Sequence, residues 1–79
     1  MFKSKQLRIY SLHLFLATER KISPRKMAQK LGISRATLFR DLDLLKSIGA
    51  PVRYCRISQI HYYEEDFRMS RGEFFEKIL

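Results

Sequence analysis

This chain is poor in the residues that staple, break or bend a small protein. Its 79 residues include one cysteine, two prolines, three glycines and no tryptophan. With Cys55 alone, no disulfide can form within the chain, which fits a reducing cytosol. One cysteine and two histidines, His13 and His61, fall short of the roughly four close-spaced ligands of a zinc site. No nucleophile has a positioned base, and there is no glycine-rich phosphate loop. An enzyme is therefore not expected, and no cofactor or metal is called for. No apolar run reaches about 18 residues, so no membrane span is expected. The amino-terminal stretch has a basic start and an apolar middle. Arg8 and His13 interrupt that middle, and Glu19-Arg20-Lys21 stands where a secretory signal needs small cleavage-site residues. Acidic residues are scarce too, eight against sixteen Lys and Arg, for a net charge of +8.

That charge is unevenly spread. Met1 to Arg56 holds thirteen basic and three acidic residues, a balance of +10, whereas Ile57 to Leu79 holds three basic and five acidic, a balance of −2. A concentrated positive field attracts polyanions and speeds encounter with them. A merely soluble basic surface is the plain alternative, and the element pattern below weighs against it. Apolar residues make up 46% of the chain, an ordinary globular share. The length allows one domain with a small core that a partner subunit would help.

The elements follow from local signals. A first helix is expected from about Ser4 to Thr18, with Leu7, Tyr10, Ser11, Leu14 and Ala17 at helical spacing on one face. Ile9, Leu12, Phe15 and Leu16 add apolar surface elsewhere, which suggests burial on more than one side. Glu19-Arg20-Lys21 reads as a polar loop. Ser23 is placed to cap a second helix, Pro24 to Leu31, with proline at the first helical position. Met27, Ala28 and Leu31 point inward, and Gly32 stops the helix in the left-handed region. Ile33 plugs the turn. Ser34 caps a third helix running to about Ile48, with Leu38, Leu42 and Leu45 as its buried stripe, flanked by Phe39 and Ile48. Ala36, Arg40, Asp43 and Ser47 lie opposite. Gly49 and Pro51 end it. Val52 to Arg56 and Ile60 to Tyr63 read as two strands of a hairpin turned at Ile57-Ser58-Gln59. Ser70 and Glu73 have capping-box spacing and open a last helix with Phe74, Phe75, Ile78 and Leu79 on one side. Too short to stand alone, it must dock on the domain or on a partner.

Helix, tight turn, helix and hairpin together make a winged helix-turn-helix: mainly α, with a three-helix core, a small antiparallel hairpin as the wing and a C-terminal helix. Residues 1–66 are read as the DNA-binding domain and 67–79 as a docking or dimerisation helix. The string Leu31-Gly32-Ile33-Ser34-Arg35-Ala36-Thr37-Leu38-Phe39-Arg40-Asp41-Leu42-Asp43-Leu44-Leu45, followed by Gly49-Ala50-Pro51-Val52 and Tyr54, resembles the DNA-binding domain of DeoR-type and WYL-domain bacterial transcription regulators. The resemblance runs from about Leu7 to Tyr63. It implies sequence-specific DNA binding by the third helix, with Ser34, Arg35, Thr37 and Arg40 presented to the groove and its phosphates. Two features depart from the family. Ser58-Gln59-Ile60-His61-Tyr62 replaces a Gly-rich wing tip ending Gly-Tyr, and the large C-terminal effector domain has no counterpart here, so ligand sensing is not carried over.

Side-chain chemistry supports the same surface. Arg35 and Arg40 have the paired donors to bridge guanine O6 and N7 or to clamp a phosphate; the plain alternative is a solvated arginine, or Arg40 paired with Asp43. Ser34 and Thr37 can donate to phosphate at the positive end of the helix, or simply cap it. Ala36 is small enough to meet a thymine methyl. Ser23, Pro24, Arg25 and Lys26 begin the helix that crosses the DNA backbone in such folds. Arg53, Arg56 and His61 on the hairpin are candidates for the neighbouring minor groove. Asp41, acidic on a DNA-facing helix, is expected to orient a basic side chain or to cap something nearby. The expected function is a sequence-specific, double-stranded DNA-binding transcription regulator in a bacterial cytoplasm, acting as a homodimer, with the first helix and the Phe74 stripe as candidate interfaces. No small-molecule effector is evident. The alternatives are a protein-interaction module that kept this fold, or an RNA binder.

Overall fold

A computed structural model describes residues 4–18 and 22–78. The Glu19-Arg20-Lys21 loop and Leu79 lie outside the described residues. Along the chain come α1 (Lys5–Thr18), α2 (Pro24–Leu31), α3 (Arg35–Ser47), β1 (Val52–Cys55), β2 (Ile60–Tyr63) and α4 (Arg71–Lys77). The fold is a winged helix-turn-helix: mainly helical, with one two-stranded antiparallel hairpin.

Caps mark the helix boundaries. Ser4 lies outside α1 and caps it, its hydroxyl accepting from Leu7 N at 3.1 Å. Ser23, in extended conformation, accepts from Lys26 N, and Pro24 opens α2. Gly32 takes the left-handed conformation, φ 67°, at the end of α2, where an L side chain would cost about 1–2 kcal/mol. α3 is shorter than its sequence expectation by one residue at each end, because Ser34 and Ile48 are its caps. Gly49 follows at φ 101°, a conformation only glycine adopts without strain. The hairpin is registered Val52↔Tyr63, Arg53↔Tyr62, Tyr54↔His61 and Cys55↔Ile60. Its turn is four residues long and includes Arg56, which the sequence placed on the strand. Gln59, φ 55°, supplies the left-handed residue that glycine or asparagine usually provides. Ser70 and Glu73 form both halves of the capping box on α4.

The core unites α1 (Ile9, Leu12, Leu16), α2 (Met27, Ala28, Leu31), α3 (Leu38, Leu42, Leu45), the hairpin (Val52) and α4 (Phe74), with Ile22 and Ala50 from the loops. Two expectations are corrected and one alternative is decided. The inward face of α1 is Ile9, Leu12, His13 and Leu16; of the other apolar face, Leu7, Tyr10 and Ser11 are half-buried, but Leu14 and Ala17 are exposed. Both faces are apolar, so periodicity could not choose between them, and contact with α2, α3 and β2 does. Phe39 is not a core flank but 41% exposed. Phe74, on the stripe expected to dock on the domain or on a partner, takes the first alternative: it is fully buried within its own chain, edge-on to Tyr10 of α1 at 5.3 Å. Phe75 and Ile78 pack partly buried beside it.

Two polar contacts fasten α1. Arg8 donates from Nε and a terminal nitrogen to both carboxylate oxygens of Asp41, at 2.7 and 3.0 Å. The Asp41 side chain is 2% exposed and that of Arg8 22%. His13 Nδ1 and the Tyr63 hydroxyl share a hydrogen bond of 2.9 Å, and burial pushes the tyrosine hydroxyl well above its ordinary range.

Removing one partner of a buried ion pair strands the other charge. Arg8→Met, which leaves the buried Asp41 carboxylate unpaired, is therefore expected to destabilise the fold by about 3 kcal/mol, and adding Asp41→Leu to recover most of that loss. Urea unfolding of the wild type and both variants measures this, and a near-neutral Arg8→Met would refute the assignment. Acid should also weaken the fold. Burial lowers the pKa of His13 from 6.5, and burial together with Lys46 lowers that of His61. The unfolded chain then binds more protons, so stability is complete above pH 6.5 and falls as the pH drops through it toward the depressed folded values. Thermal melts across this range should show the midpoint falling in acid, less steeply in His13→Gln; a flat profile would contradict the neutral buried imidazoles.

Candidate nucleic-acid interface

The turn between α2 and α3 is built by backbone hydrogen bonds back into α2. Gly32 N donates to Gln29 O at 3.2 Å and Ile33 N to Ala28 O at 3.1 Å. Ile33 packs against the core, so the two helices meet at a fixed angle. Ser34 then caps α3: its hydroxyl accepts from Thr37 N at 3.1 Å and donates to Thr37 Oγ1 at 3.0 Å. The capping role of Ser34 is thus realised, and its oxygen remains exposed.

The inner stripe of α3 is Leu38, Asp41, Leu42 and Leu45. By helical geometry the opposite face carries Ala36, Arg40, Asp43 and Ser47, and all four are exposed. Arg35, Phe39 and Lys46 form an exposed flank on the hairpin side, and Thr37 is half-buried on the other. Among the described residues, neither Arg35 nor Arg40 has an ion-pair partner, so the Arg40–Asp43 pairing weighed from sequence is not formed. Arg25 and Lys26 are exposed on the first turn of α2 beside the half-buried Ser23.

Asp41 takes no part in the outer face. It is buried and held by Arg8, and the hydrogen bond to Asp41 and the carboxylate's charge raise the Arg8 guanidinium pKa still further. The sequence suggested that Asp41 orients a basic side chain, and Arg8, 33 positions away, is that residue. A carboxylate on a cationic helix is thereby neutralised and turned inward.

The hairpin contributes unevenly. Arg53 donates to Glu64 at 2.9 Å, with both side chains well exposed, an arrangement worth little in water. Arg56 is exposed in the turn. His61 does not reach the surface: it is 7% exposed, packed on Phe39 and Tyr54 at ring distances of 5.8 and 4.7 Å. Strand alternation turns it toward α3, so it is removed from the groove-contact candidates. Other exposed residues here were not singled out. Tyr54, paired with His61 and on the same face, is 48% exposed, and Ile57, at the hairpin tip, 97%. Tyr54 and Phe39, both against His61, line the border between α3 and the hairpin. The signal for Phe39 was masked by its place in an apolar helix.

No helix among the described residues is long and apolar enough to cross a membrane. No group of three or more metal-ligating side chains occurs among them. No curated protein and no solved structure matches the chain. A family model described as "HTH domain" matches residues 6–54, from early α1 through most of β1 and therefore over the whole α2–turn–α3 unit. That match covers more than half of the sequence, and the chain belongs to this family of helix-turn-helix DNA-binding domains.

Proposed function

We propose that this protein is a sequence-specific transcription regulator that lays α3 into the major groove of double-stranded DNA. The observation that carries this reading is the outer face of α3, where Arg40 and Ala36, with Arg35 on the flank, stand exposed and without acidic partners while the helix's buried carboxylate is neutralised from behind. Arg35 and Arg40 read guanine edges or hold phosphate. Thr37, whose hydroxyl accepts from Ser34 and keeps its own proton to give, donates to phosphate at the amino end of α3, where the helix dipole favours anions. Ser34 does so by exchanging its bond to Thr37 for one to phosphate. Ala36 lies against the base edges. Arg25 and Lys26, with Ser23, hold the backbone on the α2 side. Arg56 reaches the adjacent backbone from the hairpin tip, and Arg53 joins it by exchanging Glu64 for a phosphate.

The likeness of Leu31–Tyr54 to DeoR-type and WYL-domain regulators supports a place in bacterial transcription control, at the nucleoid. A single short recognition helix reads only a few base pairs, so a homodimer on paired half-sites supplies the needed discrimination.

Binding to a duplex selected from a random pool should weaken steeply with salt, with a log–log slope of about −0.9 per phosphate neutralised. Arg40→Ala should cost about 1–3 kcal/mol and relax selectivity at one position of the site, whereas Arg56→Ala should weaken all sequences alike and shorten the salt slope by about one. Fluorescence anisotropy at several salt concentrations measures both. Wild-type affinity in an Arg35→Ala/Arg40→Ala double variant would overturn the assigned face. Stronger binding to single-stranded RNA than to any duplex would overturn the proposed function.

A further inference from the structure

We propose that a cleft on the side of the hairpin facing away from α3 binds a small organic cation with aromatic or apolar bulk. Strand register divides the hairpin into two faces. Tyr54 and His61 turn toward α3, whereas Cys55, Ile60 and Tyr62 turn away from it. The second face, the end of α1 and the chain leading to α4 enclose about 380 Å³. That is within the range that takes a drug-sized molecule. Leu16, Tyr62, Tyr63 and Phe67 supply apolar and aromatic walls, and Glu65 and Asp66 stand among the lining residues.

The chemistry of the lining selects the charge of the ligand. Aromatic faces attract a cation through their quadrupoles, most strongly where water is partly excluded. Glu65 and Asp66 are exposed and, among the described residues, have no ion-pair partner. Among the described residues that line it, Arg68 is the one cation, so with two carboxylates these lining residues carry a net negative charge on a chain of net charge +8. An anion would meet two like charges here and find a better place on α3. A neutral apolar molecule would leave both carboxylates unused. A weakly hydrated organic cation satisfies walls and rim together.

The chain carries its own reporter. Cys55 is the one cysteine of the sequence, it lines the cleft, and the Ser58 hydroxyl donates to its sulfur at 3.0 Å. That hydrogen bond lowers the thiol pKa, which favours reaction with thiol reagents. An occupant of the cleft must shield it.

The test uses the full chain without DNA, so its outcome is independent of the proposed regulatory role. Tetraphenylphosphonium is the probe and triphenylphosphine oxide its neutral counterpart of similar bulk. Tetraphenylphosphonium should slow modification of Cys55 by a thiol-reactive dye several-fold, saturably, and the neutral compound should protect roughly tenfold less well at equal concentration. Glu65→Gln/Asp66→Asn should weaken protection by the cation about tenfold. Ala17→Trp, at an exposed α1 position lining the cleft, should fill it and abolish the cation's protection, with circular dichroism confirming the fold. Unchanged Cys55 reactivity with the cation present would overturn the proposal. So would equal protection by both compounds, or undiminished affinity in the charge variant.

Discussion

The pairing of Arg8 with Asp41 is the constraint around which the domain is arranged. A carboxylate inside a small core costs several kcal/mol unless a cation with good geometry meets it, and Asp41 meets Arg8 through two hydrogen bonds. The pair selects one rotation of α1. With Arg8 toward α3, helical spacing carries Ile9, Leu12 and Leu16 inward and leaves Leu14 and Ala17 outside. A hydrophobic isostere would fill the same space and stabilise as well or better. It would not distinguish the two apolar faces of α1, which the ion pair does.

The second organising residue is His13. Its ring lies within 5.5–5.7 Å of those of Tyr10, Tyr63, Phe67 and Phe74, so one imidazole joins α1, the end of β2, the following loop and α4. The seven residues of α4 cannot persist in water alone. The capping box contributes about 1 kcal/mol, and burial of Phe74 contributes about 1.5–3 kcal/mol. Packing therefore decides the position of α4, and the cap sharpens its start. Because Phe74 is spent inside the chain, the part of its stripe left for a partner is the half-buried Phe75 and Ile78.

The local signals were legible in the sequence. Serine caps at 23, 34 and 70, proline at 24 and glycines at 32 and 49 act within a turn of the chain, and each sets a boundary that recurs in the structure. The α3 face was legible too, because its buried leucines alternate with charge. What stayed hidden depends on partners far along the chain. Arg8 and Asp41 are 33 positions apart and His13 and Tyr63 are 50 apart, and no periodicity connects them. Which face of α1 is the inner one stayed open because Leu14 and Leu12 are chemically alike and differ only in what they touch. His61 was misread because a histidine in a strand has no composition signal for the face it will occupy. The exposed positions of Arg35 and Arg40 could thus be anticipated, whereas the hairpin's division into an inner and an outer face had to come from its register.

That division separates two electrostatic environments within one small domain. The α3 side carries Arg35, Arg40 and Lys46 without bound acids, and the other side carries Glu65 and Asp66. They are not equivalent in strength. Exposed charges separated by more than a Debye length, about 8 Å in physiological salt, are largely screened from one another. Screening of this kind limits how far the acids beyond the hairpin reach, and the first 56 residues, with a balance of +10, set the sign of the dominant field. Glu64 is the exception, since it sits at the hairpin base and holds Arg53 directly. The free charge of the hairpin is thereby moved from its base to its tip, where Arg56 stands beside the fully exposed Ile57.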